Sequence, residues 1–246
     1  MARGLRLDTA LVERGYFLSR GQAQAAIMAG EVRINGRTAA KPSDSVRECE
    51  KIDVTPRPRY VGRGGMKLEG AIAHFEIDCG GKTALDIGAS TGGFSDCLLQ
   101  KGVRKVFAID VGHGQLAWKI RDDPRVIALE KVNARWLSRE QIPERIELCV
   151  IDVSFISLTL ILPPAFELLT PDGVILALIK PQFELAREDV GRGGIVRSSK
   201  LHAKAQEKIA TFARTLRAQR VGLFPSPITG TDGNQEFFIC LRKPSE

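Results

Sequence analysis

A glycine-rich turn between a strand and a helix is the feature of this sequence that most directly indicates chemistry. The run Ala84–Phe94 reads ALDIGASTGGF, in which an apolar strand leads into a turn that contains Gly88, Gly92 and Gly93. Glycines at these places let a ligand approach the backbone where a Cβ atom would clash. The spacing is GxxxGG and not the GxGxxG of dinucleotide sites, and no lysine follows as in a phosphate-binding loop. The turn by itself therefore disfavours a phosphate cradle and is weak evidence for a cofactor site.

A carboxylate ends the next strand, Val106–Asp110, and lies 22 residues after Gly88. An acidic side chain at this place can accept hydrogen bonds from both ribose hydroxyls of an adenosyl ligand. Taken alone, Asp110 could equally cap the turn that follows it. Taken with the glycine turn, it predicts an S-adenosylmethionine site, whose expected contacts are Asp86, Gly88, Ser90, Gly92, Gly93, Phe94, Asp110 and Val111.

Two further charged residues follow apolar strands. Asp152 comes directly after Leu148–Ile151, and Lys180 comes directly after Val174–Ile179. The carboxyl ends of strands are where open α/β sheets bind their ligands. A charge next to so apolar a run is costly unless it is paired, so we expect Lys180 to pair with Asp152. Such a pair could be structural as readily as catalytic.

The elements that must position these residues alternate between strand and helix from residue 83 onward, which indicates a parallel α/β sheet of the Rossmann-like class. The expected strands are Thr83–Ile87, Lys105–Ile109, Arg125–Leu129, Leu148–Ile151 and Val174–Ile179. The expected helices are Gly92–Lys101, Gln115–Arg121, Ile156–Leu169 and Lys200–Arg217. Gln219–Phe224 and Phe237–Leu241 follow without a helix between them, which predicts an antiparallel hairpin at the sheet edge.

A small α+β module precedes this sheet. Ser19 and Gln22 have the spacing of a capping box, which predicts the start of a second short helix. Asn35-Gly36 between alternating residues is a strong hairpin signal. Prolines at 56 and 58 favour an extended connection. We therefore expect an N-terminal domain over residues 1–59, a linker near residues 55–62 and a second domain over residues 63–246.

Composition narrows the class of protein. The chain has 246 residues, of which 43% are hydrophobic and 26% are charged, as in ordinary globular proteins. Its longest apolar runs are well short of the ~20 residues that span a bilayer, and no apolar stretch follows the charged N-terminus as in a secretory signal. The five cysteines are scattered, which favours a reducing, cytoplasmic location and no structural zinc.

The net charge of +7 is concentrated at the start of the chain. Residues 1–63 hold 12 Lys and Arg against 7 Asp and Glu, a net charge of +5, and the remaining 183 residues carry only +2. A basic module before a nearly neutral body could be a solvated surface. It could also bind a polyanion, because Lys and Arg contacts to phosphates supply most nucleic-acid affinity.

The basic module resembles the S4 RNA-binding domain. The matching residues are Arg6-Leu7-Asp8, Leu11-Val12, Ser19-Arg20, Ala23, Ile27, Gly30, Val32 and Ile34-Asn35-Gly36. The resemblance implies a two-helix motif that presents basic side chains to structured RNA. The candidates for these contacts are Arg6, Arg14, Arg20, Arg33, Arg37 and Lys41.

The whole chain resembles the TlyA family of ribosomal RNA methyltransferases, which join an S4 domain to an FtsJ-like methyltransferase domain. The motifs that carry the resemblance are LDIGASTGGFSDCLLQ, AIDVGHGQLAWKIRDDPRV, IDVSFISL, IKPQFE, GRGGIVR and SPITGTDGNQEF. The family is described as 2′-O-ribose methyltransferases and also carries an old hemolysin label. The sequence departs from the family pattern at Gly62 and Ser198, where the family often has Ser and Asp.

FtsJ-like enzymes use a Lys-Asp-Lys-Glu tetrad, which the resemblance places at Lys67, Asp152, Lys180 and Glu236. A ribose hydroxyl is a poor nucleophile whose proton must leave as the methyl group is transferred. Lys180 could take that proton in its neutral form, or stabilise the developing alkoxide in its charged form. Lys67 would add positive charge, and the two carboxylates would orient the lysines. The resemblance implies S-adenosylmethionine as cofactor and no metal.

The expected function is therefore S-adenosylmethionine-dependent 2′-O-methylation of ribosomal RNA by a cytoplasmic monomer, with ribosomal RNA or a ribosomal subunit as its partner and no membrane. Three alternatives remain. Pseudouridine synthases also carry S4 domains but do not need the glycine turn. A membrane-lytic hemolysin lacks a supporting span or amphipathic basic helix. A protein that only binds RNA would keep four tetrad residues by coincidence.

Overall fold

The structure, a computed structural model, describes residues 4–55 and 58–245. The chain divides into two compact units, residues 1–58 and 59–246. The expected linker near residues 55–62 includes Pro56 and Arg57, which lie outside the described residues, as do residues 1–3 at the start of the expected first domain and residue 246 at the end of the second.

The first unit combines two helices with short strands. Its elements are β1 (Leu5–Arg6), α1 (Leu7–Glu13), α2 (Arg20–Met28), β2 (Val32–Ile34), β3 (Arg37–Thr38), β4 (Ser45–Val46) and β5 (Ile52–Val54). The Ser19 hydroxyl accepts a hydrogen bond from the Gln22 backbone N–H at 3.3 Å, so the expected helix start is present. Asn35 and Gly36 both have positive φ, 49° and 81°, which closes the β2–β3 hairpin as their sequence predicts.

The second unit is built on a seven-stranded sheet in the order β11-β12-β10-β9-β6-β7-β8. Its strands are β6 (Thr83–Ile87), β7 (Lys105–Asp110), β8 (Val126–Glu130), β9 (Ile146–Ile151), β10 (Leu169–Ile179), β11 (Gln219–Pro225) and β12 (Phe237–Arg242). Its helices are α3 (Gly64–His74), α4 (Gly93–Gln100), α5 (Trp118–Arg121), α6 (Leu162–Leu168), α7 (Pro181–Glu184) and α8 (Ser199–Thr215). Four short 3-10 helices cover Ala134–Trp136, Leu158–Leu160, Arg187–Asp189 and Arg192–Gly194.

Hydrophobic side chains cover both faces of this sheet. Leu85 and Ile87 of β6 point to one face, where they join a cluster that includes residues of α6 and α8. Ala84 points to the other face, where the cluster includes residues of α3 and α4. This alternation follows from the two-residue period of a strand. The sheet is therefore buried on both faces. The polar residues that could form a site lie at the ends of its strands.

Strand register brings five chain segments together at one edge of the sheet. β6, β7, β9 and β10 run parallel, and Ile87 pairs with Ile109 on one side and with Ile151 on the other. β12 runs antiparallel to β10, and Ile179 pairs with Phe237. The residues that follow β6, β7, β9 and β10 therefore lie at one edge of the sheet. The residue that precedes β12 lies at the same edge.

Two expected helices are shorter than their sequence patterns suggest. The expected helix over 156–169 is a 3-10 turn followed by α6, because Pro163 and Pro164 lack an N–H and occupy its first turn. The expected helix over 115–121 is reduced to α5. The preceding loop is held by Glu130, which accepts hydrogen bonds from the Gly114 N–H and the Arg121 guanidinium.

Candidate active site

The expected pair of Lys180 and Asp152 is present at the end of the parallel strands. Lys180 Nζ lies 2.6 Å from Asp152 Oδ1, and it donates a hydrogen bond to Ser154 Oγ at 2.9 Å. The Lys180 side chain is 11% exposed and that of Asp152 is 19% exposed. The ammonium group is thus held by one carboxylate and one hydroxyl at the mouth of a cavity.

Lys67 and Glu236 form a second and deeper ion pair. Lys67 Nζ lies 2.5 Å from Glu236 Oε2, and their side chains are 9% and 3% exposed. Lys67 comes from the first turn of α3, and Glu236 comes directly before β12, so 169 residues separate them in sequence. Removing one partner would leave an uncompensated buried charge, which is strongly destabilising. The two residues therefore depend on each other.

One cavity joins both ion pairs to the glycine turn. Lys67, Asp152, Lys180 and Glu236 all line it, together with Gly88, Ser90, Gly93 and Phe94. The structure thus brings together the four residues of the expected tetrad. Phe94 is 3% exposed, and its ring stacks on that of Phe238 with centroids 6.1 Å apart, so it serves the core as well as the cavity wall.

The glycine turn adopts backbone conformations that other residues rarely reach. Gly88 has φ +85°, and a Cβ atom there would lie 2.3 Å from the backbone oxygen of Asp152. Gly92 has φ +93° and is the N-cap of α4. Both positions disfavour a side chain, because the positive φ coincides with a close backbone neighbour at Gly88 and with the side chains of Leu116 and Ile120 at Gly92. The turn thereby keeps the strand ends close and the space above them open.

A second cavity, with a volume of about 570 Å³, adjoins the first and shares Gly88, Ser90 and Asp152 with it. Asp110 and Val111 line it, and the Val111 side chain is exposed. The Asp110 carboxylate accepts hydrogen bonds from Ser90 N–H at 2.8 Å and Gly112 N–H at 2.7 Å. The carboxylate therefore does cap its turn. Each oxygen keeps capacity for a further bond, since a carboxylate has about four acceptor positions.

Asp86 lies below the glycine turn, and neither cavity is lined by it. Its side chain is fully buried, and Oδ2 accepts a hydrogen bond from Ser95 Oγ of α4 at 2.7 Å. Burial, together with the nearby charges of Asp152 and Asp110, raises the pKa of Asp86 to about 7. The strand alternation that turns Leu85 and Ile87 to one face turns Asp86 to the α4 face. Among the residues expected to contact the cofactor, Asp86 thus lies outside both cavities and is bonded to the first turn of α4.

Several residues of the site were not expected from the sequence. Ser154 contacts Lys180, and Phe155 lines both cavities with its side chain 90% exposed. The Phe155 ring lies 5.0 Å from that of Phe183, and its backbone has φ +62°. An exposed aromatic residue in a strained conformation is a mark of functional sites. The signal available in the sequence was the phenylalanine three residues after Asp152, in a loop with no helical periodicity.

The basic residues of the first unit fall into two groups. Arg6 and Arg20 both bond to Asp8, at 3.0 and 2.9 Å, and the Asp8 side chain is inaccessible to solvent. The hydrogen bond from Arg6 is the main cause that lowers the pKa of Asp8 well below its usual range. Arg14 donates to the backbone oxygens of Arg47 and Glu50, which gives it a structural role. Arg6 and Arg20 stay about half exposed all the same, with side chains 52% and 56% accessible. The second group consists of exposed residues outside this cluster, namely Arg33, Arg37 and Lys41.

None of the helices described within residues 4–55 and 58–245 combines the length and the hydropathy that crossing a membrane requires.

Comparison with known proteins agrees with the division of the chain into two units. Residues 5–52 match the S4 domain, and residues 60–243 match the FtsJ-like methyltransferase family. The 16S/23S rRNA (cytidine-2′-O)-methyltransferase TlyA of Mycobacterium tuberculosis is 45% identical over 248 residues, which cover 100% of this chain and 92% of that protein.

Solved structures show the same fold. A protein of Streptococcus thermophilus that is named as a hemolysin is 41% identical, with a TM-score of 0.75 over 99% of this chain and 90% of that one. The N-methyltransferase NodS of Bradyrhizobium japonicum, solved with S-adenosyl-L-homocysteine, is only 12% identical, with a TM-score of 0.52 over 73% of this chain and 87% of that one. The likeness to NodS concerns the fold alone.

Proposed function

The chain belongs to the TlyA family of FtsJ-like methyltransferases, and from this premise we propose that it methylates the 2′-hydroxyl of a cytidine in ribosomal RNA. The observation that carries the proposal is the cavity that joins two lysine–carboxylate pairs to the glycine turn. The cytidine is taken from the name of the mycobacterial relative, whose whole length the chain nearly spans.

The cavity walls fit S-adenosylmethionine. Gly88 and Ser90 of the glycine turn line both cavities, and Asp110 presents a carboxylate to the second one. We propose that Asp110 accepts hydrogen bonds from the ribose of the cofactor, while Gly88, Ser90, Gly93, Phe94 and Val111 border it. Gly92, which lines neither cavity, is proposed to shape the turn as the N-cap of α4, and Asp86 supports the turn from below. When bound, the cofactor supplies an electrophilic methyl group on a sulfonium.

Lys180 is the residue that we propose to act on the attacking hydroxyl. Its Nζ lies at the cavity, and Asp152 and Ser154 hold it in one place. In its neutral form it would take the proton of the 2′-hydroxyl, and in its charged form it would stabilise the developing alkoxide. Lys67, fixed by Glu236, adds positive charge on the same cavity wall.

Phe155 and Phe183 offer a surface for the target nucleotide. Both rings line the cavity that holds Lys180, and Phe155 is almost fully exposed. Base-on-aromatic stacking contributes about 1–3 kcal/mol in proteins that bind single-stranded nucleic acid. We propose that the base stacks on this pair of rings, which would leave its 2′-hydroxyl next to Lys180.

The first unit is proposed to supply affinity for ribosomal RNA through its basic side chains. The four tetrad residues come from one chain, which supports action as a monomer. Because the substrate would be ribosomal RNA, we propose that the protein works in the cytoplasm, on RNA or on an assembled ribosomal subunit.

The test uses purified protein, methyl-labelled S-adenosylmethionine, and ribosomal RNA and isolated subunits as separate substrates. We expect label at a ribose, detected as a single bond that resists alkaline hydrolysis after a cytidine. Label on a base would contradict the proposed acceptor. Isomerisation of a uridine without methyl transfer would support a pseudouridine synthase instead. Release of haemoglobin from erythrocytes without methyl transfer would support a hemolysin.

A further inference from the structure

Glu184 is a buried carboxylate that directly follows Gln182 and Phe183, two residues of the active-site cavity wall. The residue is only 4% exposed. Its Oε1 accepts a hydrogen bond from the Leu158 backbone N–H at 2.7 Å, and its Oε2 accepts one from Ser157 Oγ at 2.6 Å. Lys208 Nζ lies 3.0 Å from Oε2 and donates to the Glu184 backbone oxygen at 2.6 Å. Both carboxylate oxygens are therefore hydrogen-bonded.

These bonds connect three segments of the chain. Ser157 and Leu158 belong to the loop that follows β9, Glu184 ends the short helix α7, and Lys208 lies on α8. The loop after β9 carries Ser154 and Phe155, and α7 begins directly after Lys180. Glu184 thus ties together the two segments that hold the ammonium group and the exposed aromatic ring.

The exposed ring has little packing of its own to fix it. Phe155 is 90% exposed and has φ +62°, and its ring contact is with Phe183, the residue next to Glu184. A strained backbone conformation persists only when its surroundings hold it in place. The hydrogen bonds from Ser157 and Leu158 to Glu184 anchor the loop two and three residues after Phe155, so they are placed to hold it.

We infer that Glu184 is a positioning residue of the methyltransferase, which keeps Phe155 and Phe183 in register so that the target base presents its ribose to Lys180. This inference rests on the proposed function. A purely structural carboxylate would also be buried and paired. Only a positioning role requires that the effect of Glu184 on the rate of methyl transfer depend on the presence of the Phe155 ring.

The experiment measures single-turnover methyl transfer at saturating RNA and cofactor, together with cofactor affinity by calorimetry. We expect Glu184→Gln to lower the rate about tenfold or more, since small misplacements of reacting groups have large costs, and to leave cofactor affinity within about twofold. Ser157→Ala removes one bond without leaving a buried charge, so it should fold and show a smaller loss in the same direction. Glu207→Gln is the matched control, because Glu207 pairs with Arg214 on the exposed side of α8.

A double-mutant cycle with Phe155→Ala tests the route of the effect. If Glu184 acts through the ring, Glu184→Gln should cost less than about twofold in the Phe155→Ala background, because interacting residues are non-additive. Full additivity would overturn the inference, and so would a Glu184→Gln rate equal to that of the Glu207→Gln control. If Glu184→Gln does not fold, the same cycle with Ser157→Ala decides. A wild-type protein without methyl transfer would instead refute the proposed function.

Discussion

Lys67 and Lys180 carry the same side chain in different surroundings. The carboxylate that faces Lys67 is 3% exposed, whereas the carboxylate that faces Lys180 is 19% exposed. Lys180 also contacts a neutral hydroxyl, that of Ser154. At the scale of single residues, the two lysine side chains are almost equally exposed, at 9% and 11%, and both line the cavity. They differ in their partners, because the carboxylate beside Lys180 is the more accessible one and Lys180 has a second, neutral contact.

Lys180→Ala is expected to lower methyl transfer by at least ~10²-fold, because positioned proton transfer contributes about 10²–10⁴-fold in rate. Arginine should not replace it, since a guanidinium is not deprotonated in proteins and has a different shape. Single-turnover assays at saturating RNA and cofactor measure this effect apart from binding. Lys204→Ala, which removes a lysine that is 61% exposed, is the control. A Lys180→Ala rate above about a tenth of the wild-type rate would exclude this role.

Asp86 makes the stability of the protein depend on pH. Its pKa is about 7 in the folded chain, because of burial, against about 3.9 when unfolded. Between these values the folded state binds more protons than the unfolded state, so its free energy of unfolding falls as pH rises from about 4 to about 7. Each unit of pKa difference corresponds to about 1.4 kcal/mol.

Asp86→Asn should remove this dependence. Relative to the variant, the free energy of unfolding of the wild-type protein is expected to fall as pH rises from about 4.5 to about 8. The Asn side chain does not titrate, so its contribution to stability does not change with pH. Urea unfolding of both proteins across this range measures the difference in free energy of unfolding. Parallel pH profiles for the two proteins would show that the buried carboxyl group does not titrate in this range.

At the scale of elements, the junction of β6 and α4 depends on a backbone shape that only glycine tolerates. Gly88→Ala is expected to weaken cofactor binding and to lower the melting temperature, because its Cβ would lie 2.3 Å from the Asp152 oxygen at φ +85°. Gly81→Ala is the matched control, since Gly81 has φ +68° with no atom within 4 Å of the added Cβ. Calorimetry and thermal unfolding compare the two.

The control separates backbone strain from the clash. Gly81→Ala should show only the loss of stability that a positive φ causes, with cofactor affinity unchanged. Equal effects of the two substitutions on cofactor affinity would mean that the turn at Gly88 has no special place in the site.

Some of these elements were predictable from the sequence, and others were not. The Asn35-Gly36 turn and the Ser19 cap were predictable, because each depends on residues that are close in sequence. The pair of Lys180 and Asp152 was also predictable, because both residues directly follow apolar strands of the parallel sheet. Lys67 and Glu236 were named by family resemblance alone, and their pairing was not predicted, because no local pattern links them and β12 must first lie beside β10. The prediction of one helix over 156–169 was wrong, because Pro163 and Pro164 occupy the first turn of α6 and the helix begins there.

At the scale of the whole molecule, the positive charge of the first unit is only partly free to meet RNA. Arg6 and Arg20 are engaged by the buried Asp8, so reversing their charge would also destabilise the unit and confuse the result. Arg33 and Arg37 are exposed and flank the β2–β3 turn. They offer the cleaner test of whether this unit supplies RNA affinity.

Replacing Arg33 and Arg37 together by alanine is expected to weaken RNA binding and to reduce the slope of log affinity against log salt by ~1 for each lost phosphate contact. Cofactor affinity should not change. Filter binding of ribosomal RNA at several salt concentrations gives the slope, and Arg214→Ala in the second unit is the control. An unchanged slope would show that these two arginines do not contact phosphates.

The place of β12 in the sheet has a consequence for how the enzyme is made. β12 is the last strand in sequence, yet it lies between β10 and β11, and Glu236 stands at its start. During synthesis the first unit can fold as soon as it leaves the ribosome, because domains fold in the order in which they emerge. The sheet stays incomplete until β12 emerges. A nascent chain could therefore hold RNA before it is able to modify it, and it would acquire catalytic competence only after β12 has emerged and Glu236 has reached the site.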